Sequence, residues 1–336
     1  MAIDVHAHWV PRGLMAAHAA GKDWYGWKVL SDPSGAQHLS LGEFVFPFEI
    51  APATLSDPLG RIQRRIDNDG VDREALLLLA LFWNYHLDLK SARNFCREAN
   101  EELAEVQQAH PDHYIALGVL PAQHLGAAVD EMEYCIKELG IRSFVMATNV
   151  NGSNLDDPSV LPLLEAAAEA RATVTCHPPI WGRAGEERMP RHYFANSFGA
   201  PLESSLAIMS LIYSGLLDRY PEFTMSFTQA GGWVTYGIGR FTLRYHQRDD
   251  ARPMALPPED YLTRLYYDCL IHDEKSLRLL IERAGADRVM IGTDQHAGGD
   301  IPGGAAAWVA ESDLPDRTRE LILEENALRF FGRSAG

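Results

Sequence analysis

The sequence predicts an α/β fold, a (β/α)8 barrel, on three observations. Eight short apolar runs recur along the chain, stretches of helical periodicity alternate with them, and no linker is long enough to split the 336 residues. Strand–helix alternation argues for a parallel sheet, and eight repeats argue for a closed barrel over an open sheet. Barrels commonly run to this length as one unit, so residues 1–336 are read as a single domain.

Taken in order, the first run is Ile3–His8. The segment from about Pro11 to Asp57 then breaks the rhythm, being rich in Gly, Pro and aromatics with short extended runs such as Gly42–Phe48. It reads as a small insertion after strand 1, at the end of a barrel strand where loops overhang the active-site mouth. Strands 2 to 4 are expected at Glu74–Ala80, Tyr114–Leu120 and Ser143–Thr148, each a short apolar or β-branched run. Helical periodicity follows at Ser91–His110, Ala127–Leu139 and Pro158–Ala170. Strand 5, Ala172–His177, leads into a long connection, Pro178–Pro201, with Trp181, Arg183, Arg191, His192 and Tyr193, a second candidate lid. Next come the helix Glu203–Asp218, strand 6 at Thr224–Thr228, strand 7 at Leu265–Cys269, the helix Glu274–Ala284, strand 8 at Val289–Gly292 and the helix Asp316–Phe331. In Glu203–Asp218 the residues Leu206, Ile208, Met209, Leu211 and Ile212 cover more than one face. Core burial explains part of this, and a homodimer contact is expected to take the rest.

The chain is 46% hydrophobic and 23% charged, which suits a folded globular protein. Its formal charge of −16, from 46 acidic and 30 basic residues, argues against a nucleic-acid partner. A small anionic substrate stays compatible, because a local group of arginines can override the global sign. No apolar run approaches the roughly 20 residues that span a bilayer. The start lacks the pattern of a secretory signal, so a cytoplasmic location is expected. Cys96, Cys135, Cys176 and Cys269 are scattered without CxxC spacing and read as reduced, buried thiols.

The sharpest chemical feature is Asp4-Val5-His6-Ala7-His8. Side chains alternate along a strand, so His6 and His8 point the same way and can bind one ion together. An HxH pair alone is weak evidence. His177 closes strand 5 and Asp294 closes strand 8, both at the rim from which barrels draw catalytic residues. Singly, His177 could bond a carbonyl, and Asp294 could cap a helix or form a turn. Jointly the four supply a complete ligand set for a divalent ion, and three nitrogens with one carboxylate admit Zn2+, Mn2+ or Fe2+. Such an ion lowers the pKa of bound water from about 15.7 towards 7 or polarises a carbonyl or phenolic oxygen.

DVHAH at Asp4–His8, CHPP at Cys176–Pro179 and IGTD at Ile291–Asp294 resemble the amidohydrolase superfamily. The similarity is to the amidohydrolase-related branch that includes aminocarboxymuconate-semialdehyde decarboxylase. Arg61–Val71, Gly199–Ile208 and Gly231–Arg240 extend the likeness over nearly the whole chain. The resemblance implies a distorted TIM barrel with a small insertion, zinc held by His6, His8, His177 and Asp294, and a homodimer. Two departures stand out. Where the branch commonly has a histidine in an HGGG-like pattern, this chain has Gln229, whose amide orients groups but accepts no proton near neutral pH. Loss of a positioned base ordinarily costs about 10²–10⁴ in rate. There is also no arginine in Phe44–Glu49, where the semialdehyde decarboxylase binds a carboxylate.

Asp294, Gln229 and His296 are therefore the candidate catalytic residues, with His296 the stand-in for the missing histidine or else a rim group bonded to the lid. Arg240 could fork onto a substrate carboxylate or pair with an acidic neighbour. Phe82, Trp83 and Trp181 suit a conjugated substrate or seal the insertion, and Asn149 and His272 are further rim candidates. The leading expectation is metal-dependent, nonoxidative decarboxylation of a small aromatic or unsaturated carboxylic acid. Hydrolysis or hydration of a small cyclic, amide or lactone substrate by metal hydroxide is the alternative, followed by a barrel kept as a non-catalytic binding protein.

Overall fold

The computed structural model describes residues 1–47, 49–295 and 304–332. β1 (Ile3–Trp9) is followed by β2 (Trp27–Ser31), β3 (Gln37–Leu41) and β4 (Phe44–Val45), an antiparallel sheet of order β2-β3-β4. Then come β5 (Arg73–Leu78), β6 (Tyr114–Val119), β7 (Ser143–Ala147), β8 (Thr173–His177), β9 (Thr224–Phe227), β10 (Tyr266–Asp268) and β11 (Val289–Met290). With β1 they form one parallel sheet of order β1-β5-β6-β7-β8-β9-β10-β11. Asp4 bridges Ile291 in parallel, and the Val5 N–H donates to the Ile291 carbonyl at 2.8 Å. The sheet thus curls round into a nearly closed TIM barrel.

All eight expected barrel strands are present, with ends within two residues of those read from sequence. Every residue of β1, β5, β6, β7, β10 and β11 is buried, as parallel strands covered on both faces require. That is why they stand out as continuous apolar runs. The β1–β5 register slips by one residue between Asp4 and Ala7, so a bulge re-aims the strand where His6 lies.

Three of the longer helices start at an aspartate cap. Asp57 accepts the Gly60 N–H ahead of Pro58–Asp69, Asp88 accepts from Lys90 and Ser91 ahead of Leu89–Ala109, and Asp273 accepts from Ser276 ahead of Glu274–Ala284. The stretch read as one helix over Glu203–Asp218 is two, Ala200–Tyr213 and Leu216–Arg219, because Gly215 at φ +67° ends the first. The final helical stretch runs from Asp316 to Phe330 through a π-turn at Leu321–Glu325. Asn326 ties it to the barrel by donating to the Val289 carbonyl at 2.7 Å.

The helix Pro58–Asp69 buries two arginines, Arg61 and Arg65, on one face. Arg61 bonds Glu74 of β5 at 2.6 Å and the His8 carbonyl; Arg65 reaches Glu74 at 3.0 Å and Asp4 of β1 at 2.5 Å. Charge buried this deep is tolerable only when paired on all sides. The cluster fixes β1 against β5 directly below the residues that carry chemistry.

Candidate metal centre

His6 and His8 project from β1, His177 from the end of β8, and Asp294 from the turn after β11. All four are buried, and one donor atom from each lies within 4.8 Å of the others. The three imidazoles face one another edge-on, with centroids 4.9–5.2 Å apart and interplanar angles of 76–84°. Asp294 Oδ1 lies 2.7 Å from His8 Nε2 and 3.3 Å from His6 Nε2.

Local bonds set which nitrogen each ring offers. His6 Nδ1 is 2.8 Å from Asp268 Oδ2 and His177 Nδ1 is 2.7 Å from the Pro178 carbonyl. Both oxygens only accept, so both Nδ1 atoms carry hydrogen and donate. The lone pairs of His6 Nε2 and His177 Nε2 are left for the centre: both atoms are buried, His177 Nε2 has no hydrogen-bond partner, and His6 Nε2 has only Asp294 Oδ1 at 3.3 Å. Buried lone pairs that converge from separate strands fit a cation between them.

The backbone is equally specified. Asp4 Oδ1 accepts the His6 N–H at 2.9 Å and the Thr293 N–H at 3.2 Å, while Asp4 Oδ2 accepts the Thr293 hydroxyl at 2.6 Å. Asp294 stands at φ +52° and its N–H donates to the His6 carbonyl at 3.0 Å. A non-glycine residue in the left-handed region is rare and clusters at functional sites.

Electrostatics divide the rings. Burial opposes charge on His6, but Asp294 and the hydrogen bonds of Asp268 and Asp294 outweigh it and raise its pKa to about 10. Burial pushes His8 down and holds His177 well below the ordinary imidazole value, the latter aided by the neighbouring rings. Burial likewise opposes ionisation of Asp294, yet His6 and His8 keep it well below the usual carboxylate range. Any proton that these carboxylates favour on His6 Nε2 is the one a divalent ion would displace, leaving that lone pair to the ion.

Above it lies a cavity of about 370 Å³, with His8, His177, Gln229 and Asp294 in its lining. The walls are mostly apolar: Phe44 and Phe46 from the three-stranded sheet region, Leu81, Ile180, Trp181 and Met189. Trp181 stacks on Trp27 at 6.1 Å and meets Phe44 edge-on at 5.0 Å. Arg183, Arg191, His192 and Tyr193 add polar groups from the connection after β8. His192 and Tyr193 are both left-handed, at φ +61° and +57°.

Not every expected residue joins this cavity. Gln229 does, and its Nε2 lies 3.4 Å from Asp294 Oδ2. Trp181 does, whereas Trp83 is buried 6.2 Å from the His177 ring, outside the cavity lining. Phe82 packs edge-on against Trp24 and Trp27 and so seals the chain after β1. The Asn149 amide donates to Glu203 at 2.8 Å and to the Gly182 carbonyl at 3.2 Å and accepts from the Gly152 N–H, so its bonding capacity goes into the loops. Arg240 is exposed on the helix Val234–Gln247 and does not line the cavity of its own chain. His272 stands at φ +56° beyond β10 and is not in the lining. His296 lies outside the described residues. Sequence reasoning missed Asp268, whose one signal is an acid inside the apolar run Tyr266-Tyr267-Asp268-Cys269.

Comparison with known proteins places the chain in a family and a fold. The family described as Amidohydrolase matches residues 3–333. A protein of Dictyostelium discoideum named 2-amino-3-carboxymuconate-6-semialdehyde decarboxylase is 32% identical over 337 residues, covering 98% of this chain and 91% of that one. Among solved structures, 5-carboxyvanillate decarboxylase from Sphingomonas paucimobilis shares the fold at a TM-score of 0.81 and 22% identity, covering 99% of both chains. A dihydroxybenzoic acid decarboxylase from Polaromonas sp., solved with bound manganese and the inhibitor 2-nitroresorcinol, shares it at a TM-score of 0.78 and 21% identity, covering 98% of this chain and 96% of that one.

Proposed function

The chain belongs to the amidohydrolase family, and from that premise we propose that it is a metal-dependent enzyme that removes CO₂, without oxidation, from a small aromatic or unsaturated carboxylic acid. One observation carries the reading: His6, His8, His177 and Asp294 converge at the base of a cavity walled by Phe44, Phe46 and Trp181 and edged by Arg183 and Arg191. Zinc is the ion assigned, since neutral imidazoles and one carboxylate suit it; manganese, present in the Polaromonas structure, and iron(II) fit the same donors.

A bound divalent ion would supply Lewis-acid polarisation of a carboxylate or adjacent oxygen. The chain's own residues do the rest. The aromatic walls hold a planar substrate and exclude water, and Arg191, exposed at the rim, attracts its carboxylate, whereas buried Arg183 is bonded to the Pro179 and Ala195 carbonyls of the loop. When the bond to the carboxyl carbon breaks, its electron pair stays on the substrate carbon, which must then take a proton. Asp294 Oδ1 faces the imidazoles, leaving Oδ2, the oxygen beside Gln229, as the atom placed to take a proton from bulk solvent and relay it to that carbon as CO₂ leaves. Gln229 orients this carboxylate and carries no proton itself. The enzyme is assigned to the cytoplasm, in keeping with its four buried, unpaired cysteines, and to a homodimer.

Metal analysis and CO₂ release on one preparation test this, using wild-type and Gln229→His protein against muconate-like and hydroxybenzoic acids. About one ion per chain with CO₂ release by wild-type is the expected result. Cleavage of an amide, ester or lactone with ¹⁸O from solvent in the product, and no CO₂ from any acid, would replace it with the hydrolytic reading. Absence of bound metal would remove the basis for either.

A further inference from the structure

We infer that Asp268, which is not a ligand, is the positioning residue that fixes both the first histidine ligand and the turn bearing Gln229. The inference rests on the metal reading above. Asp268 ends β10 and is 1% exposed. Its Oδ2 accepts from His6 Nδ1 at 2.8 Å and from the Gln229 N–H at 3.2 Å; its Oδ1 accepts from the Ala230 N–H at 2.7 Å and the Leu270 N–H at 3.2 Å. Four donors from three segments of chain thus meet two oxygens. Only a carboxylate can accept on both atoms, since an asparagine would turn its NH₂ against one pair of donors.

Two consequences meet in this one side chain. Holding hydrogen at His6 Nδ1 leaves the Nε2 lone pair aimed at the centre, the role carboxylates commonly play behind a ligating histidine. On its other side Asp268 collects the successive N–H groups of Gln229 and Ala230, a backbone nest around an anion. Those two residues stand at φ +59° and +53°, and Gly231 and Gly232 continue at +69° and +66°. Two consecutive non-glycine residues in this region need an external hold, and the carboxylate supplies it. The turn so held delivers the Gln229 amide to Asp294 Oδ2. Room for Asp268 is kept by Gly292, where a Cβ would lie 2.5 Å from that of Asp268. A change at Asp268 therefore moves a ligand from β1 and the neighbour of a ligand from β11 together.

Cobalt(II) titration of the metal-free chain, followed by visible absorption, tests the coupling in wild-type, Asp268→Asn and Gln229→Ala proteins, with circular dichroism melts to establish folding. Asp268→Asn is expected to bind cobalt about 10–100-fold more weakly with a shifted absorption band, while Gln229→Ala, which removes only the long 3.4 Å contact to Asp294 Oδ2, should lose less affinity and keep the band. At saturating metal, Asp268→Asn should also lose kcat with KM little changed, because the Gln229 turn is released. A folded Asp268→Asn with wild-type affinity and spectrum overturns the inference. Should that variant not fold, ¹⁵N spectra of zinc-loaded wild-type decide it: a protected N–H at His6 Nδ1 is expected, and hydrogen at Nε2 overturns it. Failure of wild-type to bind cobalt refutes the metal reading itself, a result distinct from equal binding by both proteins.

Discussion

Gly232 has no room for a side chain. Its φ is +66°, and a Cβ there would sit 1.8 Å from the Pro201 carbonyl oxygen and 2.6 Å from Ser205 Oγ. Gly232→Ala is expected to cost about 2–4 kcal/mol, backbone strain adding to the clash. Thermal unfolding checks it; an unchanged melting temperature would mean that the helix Ala200–Tyr213 can step aside. The same turn shows what was legible residue by residue. His6, His8, His177 and Asp294 could be read because each closes or lines a strand end, where geometry leaves one direction to point. Gln229 was marked by departing from a pattern. Asp268 stayed hidden because an acid within an apolar run declares nothing until the donors from β1 and the Gln229 turn are seen around it. Arg240 lies off its own chain's cavity for a different reason: its GG…GR context locates a helix along the chain without saying which face meets the cavity.

Elements join the site through the helix Pro58–Asp69. Glu74 is fully buried between Arg61 and Arg65, and Arg65 continues to Asp4, whose carboxylate holds the His6 and Thr293 backbones. Removing the anion while leaving both cations buried is costly, so Glu74→Gln should lose about 3–5 kcal/mol at neutral pH. Burial opposes ionisation of Glu74, but the two arginines outweigh it and lower its pKa below the usual carboxylate value. A carboxylate lowered by folding stabilises the native chain above its unfolded pKa, and that support fades as pH falls towards the folded value. Glu74→Gln should therefore also flatten the acid side of the stability curve. Urea melts at neutral and acid pH measure both effects, and equal stability of the two proteins at neutral pH would make the cluster dispensable. The family resemblance marks Arg61–Val71 in the sequence, but a likeness of residues says nothing of which way its arginines turn. Only the pairing of β1 with β5 shows them turned inward.

For the whole molecule, the alternation of strands and helices was enough to give the barrel, because buried parallel strands must be apolar throughout. What it could not give was the outer surface. Leu206, Phe198, Trp233, Tyr236, Phe241 and Leu243 are exposed, Tyr236 at 87%, and Phe198 lies 5.8 Å from Trp233. The expected homodimer would cover such groups. Tyr236→Asp should leave the monomer's fold intact and shift sedimentation towards the single chain, whereas wild-type sedimenting as one chain would set the dimer aside. Metal should act on the whole molecule as well: an ion at 100 times its Kd adds about 2.7 kcal/mol to stability. Chelation is then expected to lower the melting temperature along with activity, and an unmoved melting curve would argue against tight binding.

The barrel's seam has a further meaning for how the protein is made. β1 meets β11 through one bridge, and the His8–Asp294 contact across that seam joins residues 286 apart. A ribosome makes His6 and His8 well before Asp294, the carboxylate that completes their set, which follows every strand of the barrel. An ion held by all four side chains would therefore be taken up only after every barrel strand is made, and it would act as a clasp across the seam. Stalled chains ending before β11 should take up no cobalt, and release of the final segment should confer uptake and resistance to protease in the same moment.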